Sequence, residues 1–323
     1  MNSPTQSYPA VYEGTFSEGT FLGANGLKLF YRSRYPTGDR YHSGGHDTAE
    51  PVDADRPISK PIKGVVAIVH GLGEHSGRYR TVFDALVAAG YAVFSFDNQG
   101  HGQSEGQRGH ITAWQDYRDN THAFLTLIRE KEPMAPLFLM GHSLGGLIVL
   151  DYILRQSSNS LAIAGLVVSA PPIQPVSGTV SKPRVMIAQL LSGLFPRFSM
   201  KMKLNCGGLS RSQQVTDETK QDPLTHPYVT LRWGSETLNT IEWVRSHVQN
   251  IQLPILLTHG SADPIMDYQG TCNIFEQVGS THKALKIYEG SYHEPHNDLD
   301  ADVVTRDLVS WLDESLATAG CVN

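Results

Sequence analysis

The stretch Leu137-Phe138-Leu139-Met140-Gly141-His142-Ser143-Leu144-Gly145-Gly146-Leu147-Ile148-Val149-Leu150-Asp151-Tyr152 sets two apolar runs around a Gly-x-Ser-x-Gly centre. It reads as a strand, a sharp turn and a helix. Gly-x-Ser-x-Gly alone is a weak signal, with about 0.2 chance matches expected at this glycine and serine content. The flanks make it specific. A tight strand-to-helix turn needs glycine on both sides of the serine, so that the helix packs on neighbouring strands without Cβ clashes. Ser143 is then exposed at a helix N-terminus. Free N–H groups and the helix dipole favour developing negative charge there. That is the setting of a nucleophile.

A serine hydroxyl does not ionise at neutral pH, so a base must take its proton. A tetrahedral intermediate also needs backbone donors. Leu144 N–H supplies one. The second is expected from the loop after an earlier strand, and His70-Gly71-Leu72-Gly73 follows the β-branched run from Gly64 to Val69. This assigns it to Leu72 N–H. The expected chain order is serine, acid, histidine. Leu256-Leu257-Thr258-His259-Gly260-Ser261-Ala262-Asp263 and Lys286-Ile287-Tyr288-Glu289-Gly290-Ser291-Tyr292-His293 place the required types just past apolar runs. Sites on parallel sheets collect at such strand ends. Asp263 is expected to fix the imidazole tautomer, and His293 to act as base and then acid. Asp267, Asp298, His259, His282 and His296 are neighbours of the same types; Asp267 reads as loop and His259 as strand end.

Other runs also read as strands. Leu27 to Tyr31 alternates, as an outer antiparallel strand does; Gly64 to His70, Tyr91 to Asp97, Pro136 to Met140, Ala164 to Ser169, Pro254 to His259 and Leu285 to Tyr288 read as buried ones. Trp114, Tyr117, Thr121, Phe124 and Ile128 step by three and four, as do Val304, Leu308, Trp311 and Leu312, marking helix faces. The alternation predicts an α/β chain with a mostly parallel central sheet of about eight strands and helices on both faces. Two stretches interrupt it. Residues about 36–62 are polar and rich in Gly, Asp, His and Pro, and read as a surface loop. Residues 172–250 are too long for a connection and read as an inserted cap, between core parts at 1–171 and 251–323. Within the cap, Val185 to Phe195 is apolar on most sides, as a packed helix or a lipid-facing lid would be.

Composition is that of an ordinary globular chain: 323 residues, 40% apolar and 18% charged. Basic and acidic residues number 26 and 32, and 26 − 32 gives −6. That balance, without a basic run, argues against nucleic acid as a partner. Cys206, Cys272 and Cys321 form no metal or redox pattern. No apolar run reaches transmembrane length, and Met1 to Ser7 does not read as a secretory signal, so a cytoplasmic location is expected.

With these motifs placed, the chain resembles the monoacylglycerol lipase branch of the α/β-hydrolase fold. His70-Gly71-Leu72-Gly73-Glu74-His75-Ser76-Gly77-Arg78-Tyr79 is similar to the family's HG-x-GEHSGRY segment. Asp97-Asn98-Gln99-Gly100-His101-Gly102-Gln103-Ser104-Glu105-Gly106 is similar to its D-x-x-GHG-x-SEG. The run from Lys286 to His296 resembles its KIYEG-x-YH-x-x-H. The resemblance covers about residues 20–317 except the polar stretch and much of the cap. It implies a serine ester hydrolase that cleaves monoacylglycerol, or a related acyl ester, to fatty acid and glycerol through an acyl-enzyme, with no metal and no cofactor. It also implies that Glu74, Arg78 and His296 surround the glycerol head group. Glu294 and Pro295 are less apolar than the family pattern, a departure expected to alter the rim near the leaving-group site. Lysophospholipase, carboxylesterase and thioesterase activities would use the same residues; a non-enzymatic lipid-binding protein is the alternative of another class. Because the −6 charge will not draw the chain to anionic lipid, membrane contact is expected through the apolar cap, on the membrane periphery. The sequence sets no oligomeric state.

Overall fold

The computed structural model describes residues 16–36, 62–156, 160–176, 191–202 and 206–320. Residues 37–61 of the expected polar loop and 185–190 of the apolar cap segment lie outside the described residues. The strands are β1 (Ser17–Leu22), β2 (Lys28–Arg34), β3 (Gly64–Val69), β4 (Tyr91–Phe96), β5 (Leu137–His142), β6 (Ile163–Ser169), β7 (Ser199–Lys201), β8 (Tyr228–Thr230), β9 (Ile255–Gly260) and β10 (Lys283–Tyr288). Eight of them form one sheet in the order β1-β2-β4-β3-β5-β6-β9-β10. From β4 to β10 neighbours run parallel; β2 is antiparallel to both β1 and β4.

The expected sheet is thus present, with one difference. The strand read as an outer antiparallel one, β2, is antiparallel to both neighbours, and a further strand lies outside it. The true edge, β1, offers only Phe21 and Leu22 as large apolar residues and is half exposed along its length. A weak alternation of that kind carries little signal in sequence. Phe21 is what seats it, 5.7 Å from the Phe96 ring and 5.8 Å from Phe124.

The continuous apolar strands are buried on both faces, as parallel strands are. Side chains alternate between two clusters. Val65, Ala67, Val69, Leu139, Val168 and Leu257 face one side. There α2 (Gln115–Lys131), α3 (Leu144–Arg155), α5 (Leu231–His247) and α6 (Tyr268–Gln277) cover them. Val66, Ile68, Phe138, Met140 and Leu256 face the other, under α1 (Arg80–Ala88) and α7 (Ala301–Gly320). The faces read from Trp114 to Ile128 and from Val304 to Leu312 are buried.

Between β6 and β9 the described residues form the antiparallel β7–β8 ribbon, α4 (Gln213–Gln221) and α5. Trp233 and Val244 of α5 belong to the main core cluster, and Trp233 Nε1 donates to Tyr117 OH at 3.1 Å. This end of the 172–250 stretch is therefore continuous with the core. Among the described residues no helix is long and apolar enough to cross a membrane.

Phe124 joins β1, β4 and α2, with its ring 4.6 Å from Phe96. Phe124→Ala is expected to lower the unfolding free energy by about 3–5 kcal/mol, read as a lower urea midpoint. A change under about 1 kcal/mol would contradict this packing role.

Candidate active site

Ser143 sits between β5 and α3 with φ +49°. The glycines beside it are required by close approach. A Cβ on Gly145 would lie 2.0 Å from the Val69 carbonyl oxygen, and one on Gly141 would lie 2.3 Å from that of Gly145. Ser143 N–H donates to the Ser169 carbonyl at 2.8 Å, which ties the elbow to β6.

The structure brings the three residues predicted at this centre together. His293 Nε2 lies 2.9 Å from Ser143 Oγ, and His293 Nδ1 lies 2.6 Å from Asp263 Oδ2. Asp263 Oδ1 accepts from Ile265 N–H at 2.7 Å and Met266 N–H at 3.0 Å. Burial alone would raise its carboxyl, but His293 and His259 hold it well below the usual carboxylate range. Burial would likewise lower His293, and the Asp263 carboxylate outweighs it and holds the imidazole above its ordinary value. The two neighbouring acids go elsewhere. Asp267 caps α6, and Asp298 pairs with Arg211 at 3.0 Å.

Leu72, Glu74, Arg78, His142, Ser143, His293 and Glu294 line one cavity of about 60 Å3, together with Cys206, Leu209, Thr219 and Thr225 from the 172–250 stretch. Glu74 Oε1 accepts from Gly71 N–H at 2.5 Å and from Tyr79 OH at 2.8 Å, so it pins the loop that carries Leu72. Arg78 donates to Glu294 at 2.7 Å and to the Thr219 hydroxyl, and its Nε stands 3.4 Å from Glu74. Burial, then the Glu294 carboxylate, push Glu74 up to about 7 against the pull of Arg78. Glu294 is buried too, yet Arg78 holds it below its ordinary value. His296 is not in this lining. It stacks on Tyr79 at 5.1 Å and borders a smaller cavity with Val82, Ser169, Thr258 and Thr305. Its burial lowers it to about 4.

Sequence reasoning took Glu294 as a polar departure that alters the rim near the leaving-group site and did not foresee its pairing with Arg78. It also missed Arg211. That side chain binds Asp298, Asp300 and Ser291 Oγ, and Asp298 in turn accepts from Tyr292 N–H at 2.8 Å. His293 N–H donates to Gly208 O at 3.3 Å and Glu294 N–H to Leu209 O at 2.8 Å. An isolated arginine in an aperiodic stretch gives no sequence signal for such a clamp.

A mostly parallel sheet with a serine elbow after its central strand is the α/β-hydrolase architecture, here with the hydrogen-bonded serine, histidine and carboxylate of a serine hydrolase. The chain belongs to the hydrolase family described as Hydrolase_4, serine aminopeptidase S33, whose model matches residues 60–300, and within it to the monoacylglycerol lipase branch. It is 33% identical to the human (Homo sapiens) monoglyceride lipase over 270 residues, covering 82% of this chain and 87% of that one. The structure of Paleococcus ferrophilus monoacylglycerol lipase superposes with a TM-score of 0.74 at 30% identity, over 89% of this chain and 99% of that one. A soluble variant of the Saccharomyces cerevisiae monoglyceride lipase, in complex with a substrate analogue, gives 0.76 at 25% identity, over 96% and 99%.

The Glu74 shift has a consequence for stability. With its carboxyl raised from 4.5 to about 7, the folded protein keeps a proton that the unfolded chain has lost. Its contribution to stability therefore falls as pH rises through that window. Glu74→Gln keeps an acceptor for Gly71 and removes the titration. Urea unfolding should show it gaining on wild type between pH 4.5 and 7 and holding the gain above. A difference that does not change with pH would refute the shift.

Proposed function

We propose that the chain hydrolyses monoacylglycerols to fatty acid and glycerol by two-step acyl transfer at Ser143. The carrying observation is the line Ser143 Oγ–His293–Asp263 opening onto a cavity walled by Glu74, Arg78 and Glu294. His293 takes the Ser143 proton as Oγ attacks the ester carbonyl, while Asp263 stabilises the imidazolium. Leu72 and Leu144 N–H groups receive the oxyanion, each donor being worth about 3–4 kcal/mol in such sites. His293 then gives the proton to the departing alcohol. Water hydrolyses the acyl-enzyme by the reverse path.

The alcohol half is placed against Arg78 and the two carboxylates, with His296 behind them. Arg78 is already paired with Glu74 and Glu294, so its charge is not available to a phosphate. This favours an uncharged polyol over a phosphate-bearing leaving group and ranks lysophospholipid below monoacylglycerol. Ser143→Ala should abolish monoacylglycerol hydrolysis with the fold intact, and a fluorophosphonate should label Ser143 in wild type. A panel of monoacylglycerol, lysophosphatidylcholine, lysophosphatidate and short nitrophenyl esters tests the ranking. Turnover in Ser143→Ala, or preference for a lysophospholipid, would overturn the assignment.

The cap supplies a surface for the lipid interface. Leu194, Phe195 and Phe198 are 73%, 59% and 60% exposed. Met200 and Met202 follow on the ribbon, beside exposed Arg197 and Lys201. We place peripheral membrane contact here. Binding to phosphatidylcholine vesicles should be insensitive to salt, since burial of apolar surface drives it. Leu194→Ser with Phe195→Ser should weaken it without altering turnover of a short soluble ester. Binding that disappears on raising salt would contradict an apolar contact.

A further inference from the structure

Asp263 has a second imidazole partner. His259 stands near the end of β9, fully buried, on the sheet face that carries Ile255 and Leu257. Its Nε2 lies 2.9 Å from Asp263 Oδ2, and its Nδ1 lies 2.6 Å from the Thr271 hydroxyl on α6. Thr271 is itself fully buried. A carboxylate only accepts, so the shared proton belongs to His259 Nε2, and the rotatable Thr271 hydroxyl can then donate to Nδ1. The carboxylate thus receives four donors: two backbone amides on Oδ1 and two imidazoles on Oδ2.

We infer that His259 is a positioning residue for the reaction: Thr271 fixes it as the Nε2–H tautomer, and it shares Asp263 Oδ2 with His293. This inference rests on the catalytic reading of Ser143, His293 and Asp263 given above. The two amides and two imidazoles leave the carboxylate one orientation, with Oδ2 aimed at His293 Nδ1. Dividing Oδ2 between two donors also moderates the hold of Asp263 on the His293 proton. A base held too tightly in its protonated form works only at higher pH. Other charged and titratable groups also face His293. His142 from β5 lies 5.0 Å away ring to ring; Glu294 adjoins it in sequence, and Glu74, Arg78 and His296 act from further off. His142 also lies within electrostatic reach of His259.

The test compares pH profiles of kcat/KM for wild type, His259→Leu and His259→Gln on monoacylglycerol. Leucine removes the donor; a glutamine amide can still donate to Asp263. In His259→Leu we expect kcat to fall about tenfold with KM unchanged, as when a residue orienting a reacting group is lost. Its acidic limb should move up by about half a pH unit as Asp263 holds the His293 proton more tightly. His259→Gln should restore both toward wild type. A wild-type acidic limb in His259→Leu, or equal losses in both variants, would overturn the inference. Should the leucine variant not fold, 15N imidazole spectra of the wild-type protein decide. The Nε2–H tautomer at His259 supports the inference, and the Nδ1–H tautomer overturns it. Fluorophosphonate labelling keeps the two readings apart: unlabelled Ser143 in folded wild type defeats the catalytic assignment itself, whereas a labelled Ser143 with an unmoved limb defeats only the role of His259.

Discussion

The site depends on the backbone of Ser143, a non-glycine residue held at φ +49°. Such a conformation costs about 1–3 kcal/mol and persists only where the surroundings over-determine it. Here they do. β5 lies between β3 and β6 in the middle of the sheet, and the Ser143 N–H is anchored to β6. α3 is buried from Leu144 through Tyr152, so it cannot rotate to relieve the turn. Burial on that scale brings Asp151 into the interior, where Arg118 and Arg155 pair with it, each at 2.8 Å. The same packing that strains Ser143 points its hydroxyl at His293.

The second constraint is electrostatic. Arg78, Glu74 and Glu294 are all nearly excluded from solvent. Buried charges are tolerated when paired and further hydrogen-bonded, and removing one partner is costly. Thr219 and Asn297 supply those further bonds, Asn297 donating to Glu294 at 2.9 Å. Two acids share one base, so one of them must surrender most of the benefit. Glu294 has the closer contact with Arg78 and stays ionised more readily; Glu74 carries the upward shift. The loop holding Leu72 is thus fastened by the acid whose charge is most sensitive to pH.

Much of this was legible in the chain, for identifiable reasons. The parallel strands announce themselves because both faces are buried, which leaves unbroken apolar runs such as Val65 to Val69. Ser143, Asp263 and His293 follow from chain order and strand ends. What failed to register has a common physical character. β1 is an edge with a single anchoring ring. Glu294 is significant through a partner 216 positions away, and Arg211 through one 87 positions away. His259 sits in a strand by pattern, and nothing local says that its ring turns toward Asp263. Periodicity reports what an element buries, not which distant polar group completes a network. His296 illustrates the converse: motif resemblance put it with Glu74 and Arg78, yet ring stacking on Tyr79 holds it in the wall behind them.

These long-range bonds also tie the 172–250 stretch to the loops around Ser143 and His293. The segment from Gly208 to Arg211 is hydrogen-bonded to the loop that carries His293, through both backbone and the Arg211–Asp298 pair. His226 N–H donates to Gly73 O at 3.0 Å, beside Leu72, and Thr230 N–H donates to Gly109 O at 2.9 Å. Thr219 of α4 reaches Arg78. The 172–250 stretch is therefore bonded to the loops that carry His293 and Leu72 and to Arg78 at once. Motion that broke these bonds would disturb both loops together. The turn around Leu194 to Phe198 is exposed, and its bonds run instead to Gln107 and to the start of α5. The division is physical: side chains that touch these loops are held by polar networks, whereas the apolar side chains of the turn face solvent.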